Sequence, residues 1–415
     1  MKKTVAVLSE DVKQYFVVTG NYWAFTLTDG ALRMLVVLHF HQRGYSPLHI
    51  AFLFLFYEIF GVITNLLGGY LGVRIGLNRI MNIGLFLQIA ALLMLAVPPA
   101  MLNSAWVMSA QALSGIAKDL NKMSAKSAIK MLVPSDQQSQ LFKWVAVLTG
   151  SKNSLKGIGF FLGSALLALW GFNVSVIVMA VVLGAVWLTS LALLKKDLGK
   201  AKSKPKLGDI FSKSAAINRL SAARLFLFGA RDLWFVVALP VFLSSQLGWN
   251  FWQVGGFLAS WIIGYGIVQS LAPLIIRLAK ITDSVKITDS KNETIPDGRN
   301  AFVWATGLAL LTAAIALALT TALPVTAVLM SGLCLFGVVF AINSSLHSYL
   351  IVSYAKDDGA ALDVGFYYMA NAMGRLIGTL LSGWVYQSAG LAACLWVSAG
   401  FIAATALIST KLPHR

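Results

Sequence analysis

Between Gln111 and Gly163 the chain has the length and apolar flanks of two membrane spans. Yet it carries Lys118, Asp119, Lys122, Lys126 and Lys130 in the first arm and Lys143, Lys152 and Lys156 in the second. A cation at the centre of a membrane helix costs about 2.5–3.5 kcal/mol even by the mildest scale. Lysines so placed line a polar cavity, and the chemistry open to them is to hold an anion. Lys118, Lys122, Lys126 and Lys130 recur at i+4 and form one slowly rotating stripe. Counted from Asn103, Lys118 lies about 22 Å along its helix, past the midplane. Lys126, Lys130 and Lys143 are expected at the basic end, in water. Lys118 and Lys122 lead from there to the middle, and Asp119 can pair with Lys122 at i+3. That leaves Lys118 without an obvious local partner. Lys152 and Lys156 share a face about 18–24 Å from Gln140, where snorkelling to water is difficult. They are the main candidates for an anion site.

Other charges join them. Arg33 follows Asp29 by one turn, and a local salt bridge between the two is a serious alternative to a binding role. Arg231 and Asp232 are sequence neighbours that should point different ways and pair across helices. Arg375 follows Asn371, and Arg224 and Glu58 are also embedded. The cations Arg33, Lys118, Lys122, Lys152, Lys156, Arg224, Arg231 and Arg375 outnumber the carboxylates Asp29, Glu58, Asp119 and Asp232. A cavity with that imbalance is stable only with anions inside. Arginine grips carboxylate or phosphate oxygens as a fork, and lysine acts as a point charge. The expected substrate is therefore small and multiply anionic. Arg33, Lys118, Lys122, Lys152, Lys156, Arg231, Arg375 and Asn371 are the expected binding residues. Asp29, Glu58, Asp119 and Asp232 are the places to seek proton coupling, with structural pairing at least as good a reading of each. His347 reads as a satisfied packing residue.

The elements that position these groups are membrane helices. The chain is 58% hydrophobic and only 12% charged, with mean hydropathy +0.76, against about one quarter charged in a soluble domain. Apolar runs of about 20 residues recur along its length. They lack the alternation of a membrane barrel. Twelve spans are expected, roughly at 15–40, 47–72, 79–99, 103–128, 139–169, 172–194, 219–245, 250–277, 300–322, 324–353, 363–388 and 390–411. The net charge of +17 sits at span ends and inside spans, not on one soluble face, which argues against nucleic acid. MKKTVAVLSEDVKQ is not a signal peptide, because its apolar run is short and acidic residues follow at once.

The basic connection after the sixth span divides the chain into a six-helix bundle at 1–194, a linker at 195–218 and a second bundle at 219–415. One set of loops holds Lys2, Lys3, Lys13, Arg74, Arg79, seven lysines from Lys195 to Lys213, and the basic residues near 277–299, 356 and 411–415. The other set holds only Arg43. That bias places both termini and the linker in the cytoplasm, with the chain in the inner membrane. The repeated KITDS after span eight reads as a solvated tether. Spans three, six, nine and twelve contain no interior charge. This pattern fits four three-helix units whose third helix faces lipid, the architecture of major facilitator transporters. Asn153 with Lys156 in span five is echoed by Asn371 with Arg375 in span eleven, each followed by spaced glycines.

Gly69-Tyr-Leu-Gly72-Val-Arg74-Ile-Gly76-Leu-Asn-Arg79 resembles the loop signature of major facilitators, with Val73 at the family's acidic position. Three further segments carry a narrower likeness: NYWAFTLTDGALRMLVVLHFHQ from Asn21, PLHIAFLFLFYEIFGVITNLLGGYLG from Pro47, and the Gln111–Gly163 stretch itself. Together they resemble the ArsJ family of organoarsenical efflux transporters, densely over the first half and more loosely beyond span six. The resemblance implies export of 1-arseno-3-phosphoglycerate, made from arsenate by a partner glyceraldehyde-3-phosphate dehydrogenase, and hence arsenate resistance. It supplies no residue-level site. Pentavalent arsenate esters offer hard oxygen atoms, which suit Lys and Arg, whereas arsenite seeks thiolates. Only Cys334 and Cys394 are present, far apart in sequence.

No P-loop, HExxH or GxSxG occurs, so ATP-driven transport within this chain and the commonest hydrolase chemistries are not expected. No cofactor and no metal site is implied, and a monomer is expected. An organophosphate/phosphate exchanger of the same fold would show the same cationic cavity. A receptor that senses an anion without moving it would bind without flux.

Overall fold

A computed structural model describes residues 10–45, 47–134, 136–194, 198–200, 214–278, 295–356 and 359–413. Among them the secondary structure is entirely helical. The helices are α1 (Glu10–Gln42), α2 (Pro47–Leu53), α3 (Leu55–Ile75), α4 (Leu77–Leu95), α5 (Ser104–Leu132), α6 (Gln138–Leu193), α7 (Ala215–Phe235), α8 (Ala238–Ser245), α9 (Phe251–Leu278), α10 (Gly298–Ala318), α11 (Val325–Tyr354) and α12 (Ala360–Ser409). The N-terminal lysines Lys2 and Lys3, most of the basic linker and the repeated KITDS segment lie outside the described residues. The helix α7 begins at Ala215, inside the stretch assigned to the linker from sequence.

Among the described residues, eight helical segments are long and apolar enough to cross a membrane. The helices α1 and α5 are not among them, because Asp29 and Arg33 in one and the lysines in the other lower their hydropathy. Both turn these polar groups inward. A straight α6 of 56 residues would be about 84 Å long, nearly three times a hydrocarbon core. It instead breaks at Gly171, whose φ of 71° and ψ of −179° only glycine adopts freely. The chain reverses there: Trp144 near one end of α6 stacks on Tyr15 at 4.1 Å, while Leu193 at the other accepts a hydrogen bond from neighbouring Gln14. The helix α12 breaks in the same way at Gly390, with φ 77° and ψ −175°. The segments on either side of Gly171, and those on either side of Gly390, thus meet at single-residue breaks with no loop between them. Lys156 and Arg375 each stand 15 residues before their break.

Glycines set the closest helix approaches. A Cβ on Gly163 would lie 2.2 Å from the Ala31 carbonyl oxygen, so α6 rests directly on the backbone of α1. A Cβ on Gly374 would lie 2.1 Å from the Leu225 carbonyl, and α12 rests likewise on α7. Contacts between α1–α6 and α7–α12 run along α3 with α12, where Gly69 meets the Ala361 carbonyl, and along α6 with α9, where Gly150 meets Gly266. Asn153 donates to Gln269 across the second of these at 2.6 Å. Gly163→Val and Gly374→Val are expected to destabilise the fold by about 1–3 kcal/mol or more through overpacking. Gly184, with nothing within 4 Å of an added Cβ, serves as the Ala control. Melting temperatures in detergent check this, with a clear drop for the first two and little change for the control.

Candidate functional site

Six helices bring the embedded charges together: α1 with Asp29 and Arg33, α3 with Tyr57 and Glu58, α5 with Lys118, Asp119 and Lys122, α6 with Lys152 and Lys156, α7 with Arg231 and Asp232, and α12 with Asn371 and Arg375. The glycine contacts position them. Gly30 lets the Lys156 carbonyl approach α1 beside Asp29 and Arg33, since a Cβ there would fall 2.8 Å from that oxygen. The α5 helix is started by Asn103, whose side chain accepts from the Trp106 amide.

Each carboxylate has its own clamp. Asp29 accepts from the Tyr57 hydroxyl at 2.7 Å. Oε1 of Glu58 receives Arg33 Nη2 at 3.1 Å and faces Arg375 Nη2 at 3.9 Å. Asp119 is held by Lys122 through one oxygen and by Lys118 through the other, at 3.4 Å. Asp232, fully buried, takes Arg231 Nε on Oδ1 at 2.7 Å and Arg375 Nε on Oδ2 at 2.9 Å. Arg375 therefore joins Glu58 of α3 to Asp232 of α7. Aromatic faces complete the cation sites. Lys118 Nζ lies 3.9 Å from the Tyr57 ring centre, and the Arg33 guanidinium 5.0 Å from the Tyr57 and Phe54 rings.

Several pairings differ from those the sequence indicated. Asp29 and Arg33 do not pair; one turn apart on α1, they reach different partners on α3. Arg231 and Asp232 do pair with each other, because both side chains bend to the same side of α7 while Asp232 also reaches Arg375. Lys118 is not left without a partner, since Asp119 has two oxygens to offer. Lys126 does not reach water: it is 2% exposed and donates to Thr149 Oγ1, because α6 and α12 close over that part of α5. His347 is buried, and among the described residues neither ring nitrogen has a hydrogen-bond partner, so it is not a satisfied packing residue there. Asn371 accepts from Arg224 Nε at 2.9 Å, which commits its carbonyl oxygen within the second set of helices. Tyr57, Tyr368 and Arg224 are the participants sequence reasoning did not assign to the site. Tyr57 had no signal beyond its place next to Glu58. Tyr368 stands three residues before Asn371 on the same side of α12.

Lys152 and Lys156 stand apart from this network. Both are half-buried, and neither forms an ion pair or hydrogen bond among the described residues. Every other cation in the predicted binding set has a carboxylate within 4.0 Å. No group of three His, Cys, Asp or Glu side chains comes together among the described residues, so nothing there gathers the ligands of a metal ion.

The family comparisons agree with this architecture. Residues 15–288 match the Major Facilitator Superfamily, and the chain belongs to it. Its fold is that of membrane transporters, a class generally without enzymes. Among solved structures it is similar to the human organic anion transporter MFSD10 (TETRAN), with 15% identity, a TM-score of 0.73, and 96% of this chain and 99% of that one covered. It is also similar to a bacterial homologue of the iron transporter ferroportin in an outward-facing state, with 13% identity, a TM-score of 0.71, and coverage of 97% and 99%. A third likeness is to the E. coli fucose:proton symporter FucP, with 13% identity, a TM-score of 0.68, and coverage of 97% and 100%. At such identities the likeness is one of fold alone. No curated protein sequence matches the chain.

Proposed function

We propose that the chain is a twelve-span transporter of two six-helix halves that exports an anionic phosphorylated organoarsenical, 1-arseno-3-phosphoglycerate, by alternating access. The span count is supported by the eight apolar segments, the two reversals at Gly171 and Gly390, and the polar helices α1 and α5. The halves are 1–194 and 219–415, joined by the basic linker. The basic loops favour an inner-membrane protein with both termini in the cytoplasm.

The observation that carries the reading is the pair of lysines without partners, Lys152 and Lys156, among cations that already have theirs. Such a place attracts a negative ligand and repels a metal cation. Arg33, Arg231 and Arg375 would grip oxyanions as forks, and Lys118 and Lys122 would raise the local anion concentration along the way. The arsenical itself rests on the segments resembling ArsJ and on the hard-oxygen chemistry of the site. Export of a multiply charged anion is favoured by an inside-negative potential, at about 2.3 kcal/mol per charge per 100 mV. A proton carried by Asp29, Glu58, Asp119 or Asp232 is therefore not required, although these remain the groups that could carry one. An arsenate-sensitive cell should gain resistance from this chain together with glyceraldehyde-3-phosphate dehydrogenase activity. Growth on arsenate with and without the dehydrogenase tests this. Resistance that persists without dehydrogenase activity would sink the ester as substrate.

A further inference from the structure

Two buried cations lie outside the network of carboxylates: Lys126 of α5 and Arg224 of α7, 2% and 3% exposed. Neither forms an ion pair among the described residues. Lys126 donates to Thr149 and lies 5.9 Å from the Tyr368 ring centre. Arg224 donates to Asn371 and to the carbonyl and hydroxyl oxygens of Ser344, and its guanidinium is 5.3 Å from the Tyr367 ring centre. The rings of Tyr367 and Tyr368 are 5.0 Å apart and bridge the space between the two cations. The two phenol oxygens lie within reach of the Ser348 hydroxyl, and among the described residues both ring nitrogens of His347 are buried without a hydrogen-bond partner.

The chemistry of this cluster is one-sided. It offers an ammonium, a guanidinium and three buried hydroxyls, and no carboxylate pairs with either cation among the described residues. Buried charges without a counter-charge and buried donors without an acceptor are both costly. One negatively charged acceptor resolves both. Lys126 lies two turns along α5 from Lys118, about 12 Å by helix rise, and Thr149 lies one turn before Lys152. We propose that Lys126, Arg224, Tyr367, Tyr368 and Ser348 form a second anion site, for a small inorganic anion. It lies between the Lys152–Lys156 pair and the α5–α6 turn. The proposal rests on the reading of the chain as an anion carrier, but not on the arsenical. An anion here would occupy a waiting position on the side of the molecule where the two sets of helices are packed together.

The test is calorimetric titration of the full-length protein in nanodiscs with inorganic phosphate, and separately with chloride. Wild type is expected to bind phosphate at two sites. Lys156→Gln should remove one and leave the other. Tyr368→Phe, which deletes only a hydroxyl, should weaken the remaining site by about 5- to 10-fold, and Lys126→Gln by more. The same weakening seen with chloride alone would support the site and name a halide as its ligand. If Tyr368→Phe weakens binding while Lys156→Gln changes nothing, the second site stands and the Lys152–Lys156 reading falls. Complete loss of binding in Lys156→Gln would overturn the proposal. So would unchanged binding in both Tyr368→Phe and Lys126→Gln, or wild-type protein that binds neither anion.

Discussion

Lys156→Gln is expected to lower affinity for the proposed phosphorylated substrate by about 10- to 100-fold without harming the fold, and Lys152→Gln to do the same. A hydrogen bond to a charged group is worth about 1.5–3 kcal/mol, and each 1.4 kcal/mol is tenfold in affinity. The more informative part is the sign on stability. Both lysines lack a carboxylate partner and stand among other cations. Neutralising either removes repulsion from the empty protein, so the melting temperature should hold or rise while binding falls. Lys122→Gln should behave in the opposite way, because it removes a partner from buried Asp119. Binding and melting measured side by side on the three variants check this. A fall in melting temperature for Lys152→Gln and Lys156→Gln, with affinity intact, would reassign both lysines to structure.

Asp232→Asn is expected to be the most damaging single change to the charge network. Asp232 is fully buried and satisfies Arg231 with one oxygen and Arg375 with the other. Removing one partner of a buried pair costs about 3–5 kcal/mol. The figure is reduced here because the Arg375 side chain is 32% exposed and can recruit water. The expected outcome is a strong loss of folded protein on extraction and a markedly lower melting temperature. Asp232→Asn combined with Arg231→Gln should recover part of the loss, since one unmatched cation is gone. A single Asp232→Asn protein that melts like wild type would show that Arg231 and Arg375 find other partners, and would remove Asp232 as the anchor of α7 to α12.

The helical membrane fold was legible in the sequence because hydropathy is a local property. Long apolar runs and the basic bias of alternate loops are both readable without knowledge of packing. The expected span ends at 169 and 172, and at 388 and 390, fall at Gly171 and Gly390, but they do not show that each glycine reverses the chain at a single residue. The unusual lysines were legible for the same reason, since any cation in such a run stands out. Pairing was not legible. The Arg33–Glu58 and Arg375–Asp232 contacts join distant helices, and only glycine-mediated backbone approach decides which side chains meet. Lys126 shows the limit clearly. Counting along α5 placed it at the watery end of the helix, whereas neighbouring helices bury it completely. Arg231 and Asp232 show the reverse, because adjacent residues on a helix can still pair with each other when their side chains are long enough to bend.

The central claim is tested most directly in everted membrane vesicles containing the protein. They are supplied with arsenate, glyceraldehyde-3-phosphate, NAD and the dehydrogenase, and arsenic inside the vesicles is measured. The account predicts accumulation that needs both the transporter and the dehydrogenase, and that is lost in Lys156→Gln vesicles carrying equal amounts of protein. Equal accumulation with arsenate alone, or none with the complete mixture, would contradict it.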